Sequence, residues 1–289
     1  MRIEEHLIFE VKIASEIQKT RIGISNRMYS MMAETYVRNH PLYEKLLMLR
    51  KDKTKDRKET AKFTKQLLAQ QLEKESMTMD DFKKMLTTNK KDDMIYTGLR
   101  NLERAAFKSL EPALETVPVY KFWLRHIRGM GPLLALQLCS KVRDIERFPN
   151  PSKLKKYFGL APNMKLHRGQ QADFNPEAKG LMLGKIASCF IKLRGQYKKM
   201  YDETKQFYHE THPDWTKGHC HNYARKAMMN RFAVEMWIAW HISEDRMPPV
   251  NPYITLDPKH ALHELTVPVQ NATYLKWVET IKTRVPASL

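Results

Sequence analysis

The sequence predicts an all-α protein, an N-terminal amphipathic helical arm followed by a compact helical domain that contains a helix-hairpin-helix. Three observations predict it. Apolar residues recur at helical spacing from the first residues onward, and no segment shows the period of two that a half-buried strand requires. Glycine is scarce, with 10 in 289 residues, yet two fall together at Gly129 and Gly131 between two apolar runs. Prolines at 118, 132, 151 and 176 stand where helices begin or end.

Residues 1–117 read as helical and highly charged. Leu7, Val11, Ala14, Ile17 and Ile24 form an amphipathic stripe, suited to dimerisation or a coiled coil. The Lys-rich stretch "RKDKTKDRKETAKFTKQLLAQQLEKE" follows, with only Phe63, Leu67, Leu68 and Leu72 as large hydrophobes. It reads first as a solvated helical face, with a coiled-coil arm or a linker as alternatives. Thr78 with Asp81 three residues on is a capping box, so a helix should begin there. The acidic pairs Asp80–Asp81 and Asp92–Asp93 invite a metal-nuclease reading, but no strand pattern carries them, and capping accounts for them.

Pro118 marks a boundary after which the composition turns aromatic and apolar. Residues 118–250 carry the compact pattern, and 251–289 read as a Pro-punctuated tail with the short amphipathic helix "ATYLKWVETIK". In "HIRGMGPLLALQLCSKV", Val119, Phe122, Trp123 and Ile127 make one helical stripe, and Leu133, Leu134, Leu136, Leu138 and Val142 make the next. Two helices so briefly joined must turn back on each other; Gly129 and Gly131 permit the turn, and Pro132 opens the second helix. Without side chains at Gly129 and Gly131, the backbone N–H groups of Gly129, Met130 and Gly131 can approach a phosphate at a positive helix end. Arg125, Arg128 and Lys141 supply charge nearby in sequence. The next helix, entered through Pro151 and closed at Gly159, adds Lys153, Lys155 and Lys156. The plain alternative is a helical hairpin whose glycines only permit close packing.

Charge points the same way. There are 50 Lys+Arg against 32 Asp+Glu, a net +18 with a pI near 9.7. Such an excess favours polyanions, above all nucleic acid, with a basic ribosomal, virion or nucleoid surface as the bland alternative. Cys139, Cys189 and Cys220 are odd in number and widely spaced, as expected of thiols in a reducing, intracellular setting rather than of a disulfide framework. No segment has the continuous apolar length of a membrane span or a signal peptide, so no membrane partner is expected.

Other constellations carry rival chemistry. His209, His212, His219, Cys220 and His221 could bind a transition metal, but their spacing matches no zinc module, and a helix beginning near Gly218 would splay His219 and His221 apart. Lys217 and Arg225 are candidates for a phosphate contact at that helix start. A helix from Asn175–Pro176 is expected to carry Tyr197, Tyr201 and Tyr208 along one side, as core or, interleaved with lysines, as a stacking surface for unpaired bases. Phe232, Met236, Trp237 and Trp240 read as core or a dimer face.

The run "WLRHIRGMGPLLALQLCSKVRDIERFPNPSKLKKYFGLAP", continuing through "FNPEAKGLMLGKIASCF" to "MWIAWH", resembles the C-terminal domain of the insertion-sequence one-ten transposases, in a form similar to short archaeal and viral relatives. That family is bridge-RNA-guided; its N-terminal half is a RuvC-like DEDD nuclease, and a serine shortly after the Gly-Leu-x-Pro step is its nucleophile. No serine stands between Asn163 and Gly180, where Leu166 or His167 occupies the expected position, and residues 1–117 lack the strand-rich nuclease pattern. His167 and Arg168 in that loop read as phosphate contacts. The resemblance implies a DNA-binding scaffold without the family's catalytic serine. The expected function is sequence-independent binding of duplex or branched DNA, with RNA as the other polymer a basic surface serves, no cofactor and no metal. A diverged recombinase or nuclease subunit and a basic packaging protein are the rival classes.

Overall fold

The computed structural model describes residues 4–52, 57–162, 171–249 and 264–284. The architecture is all-α, and among the described residues there is no strand. In order come α1 (Glu5–Val37), α2 (Tyr43–Lys51), α3 (Arg57–Lys74), α4 (Met79–Asp92), α5 (Met94–Glu115), α6 (Pro118–Phe122), α7 (Pro132–Val142) and α8 (Pro151–Tyr157). They are followed by α9 (Pro176–Lys179), a π-helical stretch (Gly180–Ile186), α10 (Ala187–Lys192), α11 (Lys198–Thr211), α12 (Lys217–Ser243) and α13 (Ala272–Arg284). No described helix is long and apolar enough to cross a membrane.

The chain divides into two compact units. One is Lys12–Lys108, and the other combines Met1–Val11 with Ser109–Leu289. Helices α1 and α5 each run from one of these units into the other.

Unit 12–108 has a core of its own. Ala33, Val37, Leu46, Leu67, Leu68, Leu72 and Phe82 are buried together, with Tyr29 and Tyr36 set edge-on to the Phe82 ring at 5.7 and 5.6 Å. The Lys-rich stretch therefore is not a fully solvated arm; its three leucines fall on one face of α3 and make the centre of that core. Each leucine so buried contributes about 2 kcal/mol of transfer free energy. Thr78 caps α4 reciprocally with Asp81, as the capping box predicts, the Thr78 hydroxyl accepting from the Asp81 N–H at 3.1 Å and the Asp81 carboxylate from the Thr78 N–H at 3.2 Å. Between α1 and α5, Glu103 accepts from Arg21 and, at 2.9 Å, from Gln18, and this ion pair raises the Arg21 pKa above its ordinary value.

The larger unit is built on α12. Its 27 residues make a rod of about 40 Å, and from Phe232 to Ser243 nearly every side chain is buried, so Phe232, Met236, Trp237 and Trp240 are core. Phe232 stacks on Trp123 at 5.6 Å and meets Phe190 and Tyr197 edge-on at 5.3 and 5.5 Å. The sequence 251–289 is not merely a tail: Leu265, Val267, Val269, Tyr274, Trp277 and Ile281 are buried in this unit. One carboxylate anchors that segment. Glu235, almost wholly buried, accepts from Tyr197 Oη at 2.6 Å, from the Thr266 N–H at 3.1 Å and hydroxyl at 2.7 Å, and pairs with Arg231.

Two expected helices are broken. The stripe 119–127 is not one helix, because α6 ends at Phe122 and a 3-10 turn spans Leu124–His126. The cause is tertiary: the Phe122 carbonyl, which a continuing helix would have used, accepts from the Gln270 N–H at 2.8 Å, and the Trp123 indole N–H anchors the side chain on the Val267 carbonyl at 2.8 Å. The helix from Pro176 likewise does not reach Tyr208. It ends at Lys192, and α11 begins anew at Lys198 after a turn through Gly195.

Candidate nucleic-acid interface

The Gly-Met-Gly step is a tight turn whose two glycines do different things. The Met130 N–H donates to the Ile127 carbonyl at 2.9 Å, closing a four-residue turn with Gly129 third, at φ 98. That position of a type II turn demands positive φ, which glycine adopts without strain. A Cβ on Gly129 would also stand 3.2 Å from the Phe190 ring and 3.3 Å from the Cys189 carbonyl. Gly129 is thus a packing residue, seated on α10.

Gly131 is the opposite case. Its φ of −72° suits any residue, it is exposed, and a Cβ there would meet nothing within 4 Å. It is the N-cap of α7, and no side chain caps it. The N–H groups of Gly131, Leu133 and Leu134 have no acceptor among the described residues, and Pro132 has none to offer. Three donors on the positive end of an 11-residue helix are therefore left for an outside acceptor, the one at Gly131 on an exposed residue. Met130, by contrast, is buried and its N–H is used in the turn.

The turn is clamped from the α10–α11 connection. Gln196 accepts from the Arg128 N–H at 3.0 Å and donates to the His126 carbonyl at 3.1 Å. Gly195 lies so close that a Cβ on it would stand 2.5 Å from the Arg128 carbonyl oxygen. This brings Arg194, exposed and at φ 51, beside exposed Arg128. Sequence reasoning placed Arg194 only among the basic residues interleaved with the tyrosines, and it missed Gly195 and Gln196. Their one signal was "RGQ" itself, a rare glycine inside one expected helical stretch.

The remaining candidates scatter. Arg125 is paired with Glu115 at 3.0 Å. Lys141 sits at the other end of α7, about 15 Å along the axis from Gly131, and pairs with Glu177. On α8, Lys153 is exposed, Lys156 lies 4.0 Å from Asp173, and burial of Lys155 pushes its pKa below the ordinary lysine value. Schellman bonds end that helix, from the Gly159 N–H to the Lys156 carbonyl and from the Leu160 N–H to the Lys155 carbonyl, each at 2.9 Å. Arg168 and His167 lie outside the described residues. Lys217 is exposed at the start of α12, while Arg225 donates to the Asn222 side chain at 2.9 Å.

The histidine-rich stretch forms no metal centre among the described residues. His221 accepts from or donates to Tyr201 Oη at 2.7 Å, with its pKa lowered by burial, Arg225 and Lys205, whereas the His212 and His219 rings both lie against Trp215. Tyr197 and Tyr201 are core.

No curated protein and no solved structure matches the chain. Residues 123–166 match the model of the Transposase IS116/IS110/IS902 family, a segment running from buried Trp123 through the Gly129–Gly131 turn, α7 and α8. Over this segment the chain is similar to the Transposase IS116/IS110/IS902 family.

Proposed function

We propose that the chain binds duplex or branched DNA without cleaving it, by seating a backbone phosphate on the N-terminus of α7. The observation that carries this reading is the open helix end at Gly131, where three N–H donors lack acceptors among the described residues, inside the segment that matches a transposase family. Arg128 and Arg194 are exposed near the turn, and Lys153 and Lys156 on α8, with Lys217 and Arg225 on α12, are the further basic candidates. Contacts of this kind position a protein on DNA without reading bases, so binding is sequence-independent and steeply salt-dependent. No cofactor enters this reading. Self-association through the N-terminal helices belongs to it as well and would place two such helix ends on one DNA, although Leu7, Val11 and Ala14 of the expected stripe are buried within the chain.

The test is Gly131→Asp. Aspartate is a favoured N-cap and its carboxylate suits the helix dipole, so the variant should melt no lower than the parent. The same carboxylate occupies the phosphate position, so duplex affinity should fall at least about tenfold. Unchanged affinity would refute the reading. A second reading, a diverged transposase or recombinase subunit, is favoured by the same family segment. Magnesium-dependent nicking of supercoiled plasmid by the full chain separates the two.

A further inference from the structure

At the end of the α11–α12 hairpin, six aromatic rings gather at the surface. Tyr208, His212 and Trp215 lie nearly parallel: His212 stacks on Trp215 at 4.2 Å and 10°, and Tyr208 on Trp215 at 5.3 Å and 13°. A second parallel pair, His219 and Tyr223 at 5.4 Å and 16°, leans against Trp215. Phe207 meets Tyr208 edge-on. Helix geometry explains the grouping, because Tyr208 and His212 are four apart on α11, as are His219 and Tyr223 on α12.

A cluster that only stapled the hairpin would turn its rings inward. Here Phe207 is 56% exposed and Tyr223 45%, His219 is exposed, and Trp215 and His212 are only half-buried. Flat, exposed rings with polar edges, held in parallel sets, are the surface on which planar heterocycles stack. The bordering charge fits a strand whose bases lie on the rings. Lys217, exposed and without a partner among the described residues, is two residues from Trp215, and exposed Lys205 is three from Tyr208. Asp214 and Glu210 also border the rings, so stacking rather than charge must supply the affinity.

We infer that this aromatic tip binds unpaired bases of DNA, so that the protein engages duplex at α7 and an adjoining single strand at the α11–α12 end. The inference rests on the DNA-binding reading above but uses different residues, and the two fail separately. The full-length protein is titrated by fluorescence anisotropy with a labelled 20-nucleotide single-stranded DNA, a blunt duplex of the same sequence, and the corresponding single-stranded RNA. Trp215→Ala and Tyr223→Ala should each weaken the single-stranded DNA about tenfold and leave its salt slope unchanged, with the duplex altered less than twofold. Trp215→Phe should retain most of the affinity. Tyr223 and Phe207 are exposed enough that their alanine variants fold, which keeps the test valid if Trp215→Ala unfolds the tip. Single-strand affinity unchanged in Tyr223→Ala and Phe207→Ala with a lowered melting temperature would reduce the cluster to a staple. Tighter binding of the RNA than of the DNA strand would overturn the choice of DNA. Loss of duplex binding in Gly131→Asp alone, with single-strand binding intact, leaves this inference standing.

Discussion

The backbone N–H of Arg128 donates to the side chain of Gln196 across 3.0 Å, joining the hairpin turn to a connection nearly seventy residues later. Because Gln196 also binds the His126 carbonyl, one side chain sets the angle at which α7 leaves the turn. Gly195→Ala, which forces a Cβ to 2.5 Å from the Arg128 carbonyl oxygen, should destabilise the larger unit by about 1–3 kcal/mol or more. Urea unfolding measures this; a loss within experimental error would show that the clamp is not tight.

The two glycines of the turn should separate under substitution. Gly129→Ala meets both a positive φ and the Cys189–Phe190 surface, and should lose about 1–3 kcal/mol. Gly131→Ala, with open space and φ −72, should stay within about 1 kcal/mol of the parent. Thermal melts of both would expose a reversal at once.

Glu235 is the buried anion that ties Tyr197, Arg231 and Thr266 together. Glu235→Ala leaves the buried Tyr197 hydroxyl without its acceptor and Arg231 with the Glu264 carbonyl in place of a carboxylate, and should cost about 3–5 kcal/mol. Amide exchange at Thr266 should accelerate with it. A protected Thr266 in the variant would mean that the 264–267 segment is held by its apolar side chains alone.

Alkaline pH should weaken the fold in a defined window. Burial pushes the Cys139 thiol from 9.0 up to about 12, and burial, then Glu235, hold the Tyr197 phenol well above its ordinary value. Both groups stay protonated when folded. From pH 9 upward the unfolded chain therefore releases protons that the folded chain keeps, and stability falls with rising pH by about 1.4 kcal/mol per unit for Cys139 until the pH reaches about 12. Below pH 9 the term is fully present and constant. Urea titrations at pH 8.5 and 10.5 should show a smaller loss in Cys139→Ala than in the parent; equal losses would show the thiol to be exposed.

Unit 12–108 should behave as a packed core. Leu68→Ala should cost about 2–5 kcal/mol, whereas replacing exposed Met48 or Met31 by Ala should change stability by less than about 0.5 kcal/mol. Similar small effects at all three would return α3 to the role of a solvated helix.

Local signals were legible without the structure. The capping box at Thr78, the Pro118 and Pro132 helix starts, the Gly159 closure and the all-α class depend on interactions within a few residues, so the chain's own order encodes them. The turn at Gly129 and Gly131 belongs with them, because one positive-φ position and one missing N–H suffice to specify it. The +18 charge and the resemblance carried by residues 118–250, most specifically by the run through Gly159, were equally available. Tertiary structure decided the rest. Which glycine packs and which faces open space depends on α10, sixty residues away. The expected helix breaks after Phe122 where its carbonyl accepts from the distant Gln270 N–H, and Leu67, Leu68 and Leu72 cease to be a sparse stripe when Leu46 and Phe82 close over them. Lys141 is near Gly131 in sequence but a helix length away in space, and the aromatic tip exists only where α11 and α12 meet. Periodicity tells which face of a helix is apolar; only the fold says what that face meets, because burial and hydrogen bonding are properties of pairs brought together from distant parts of the chain.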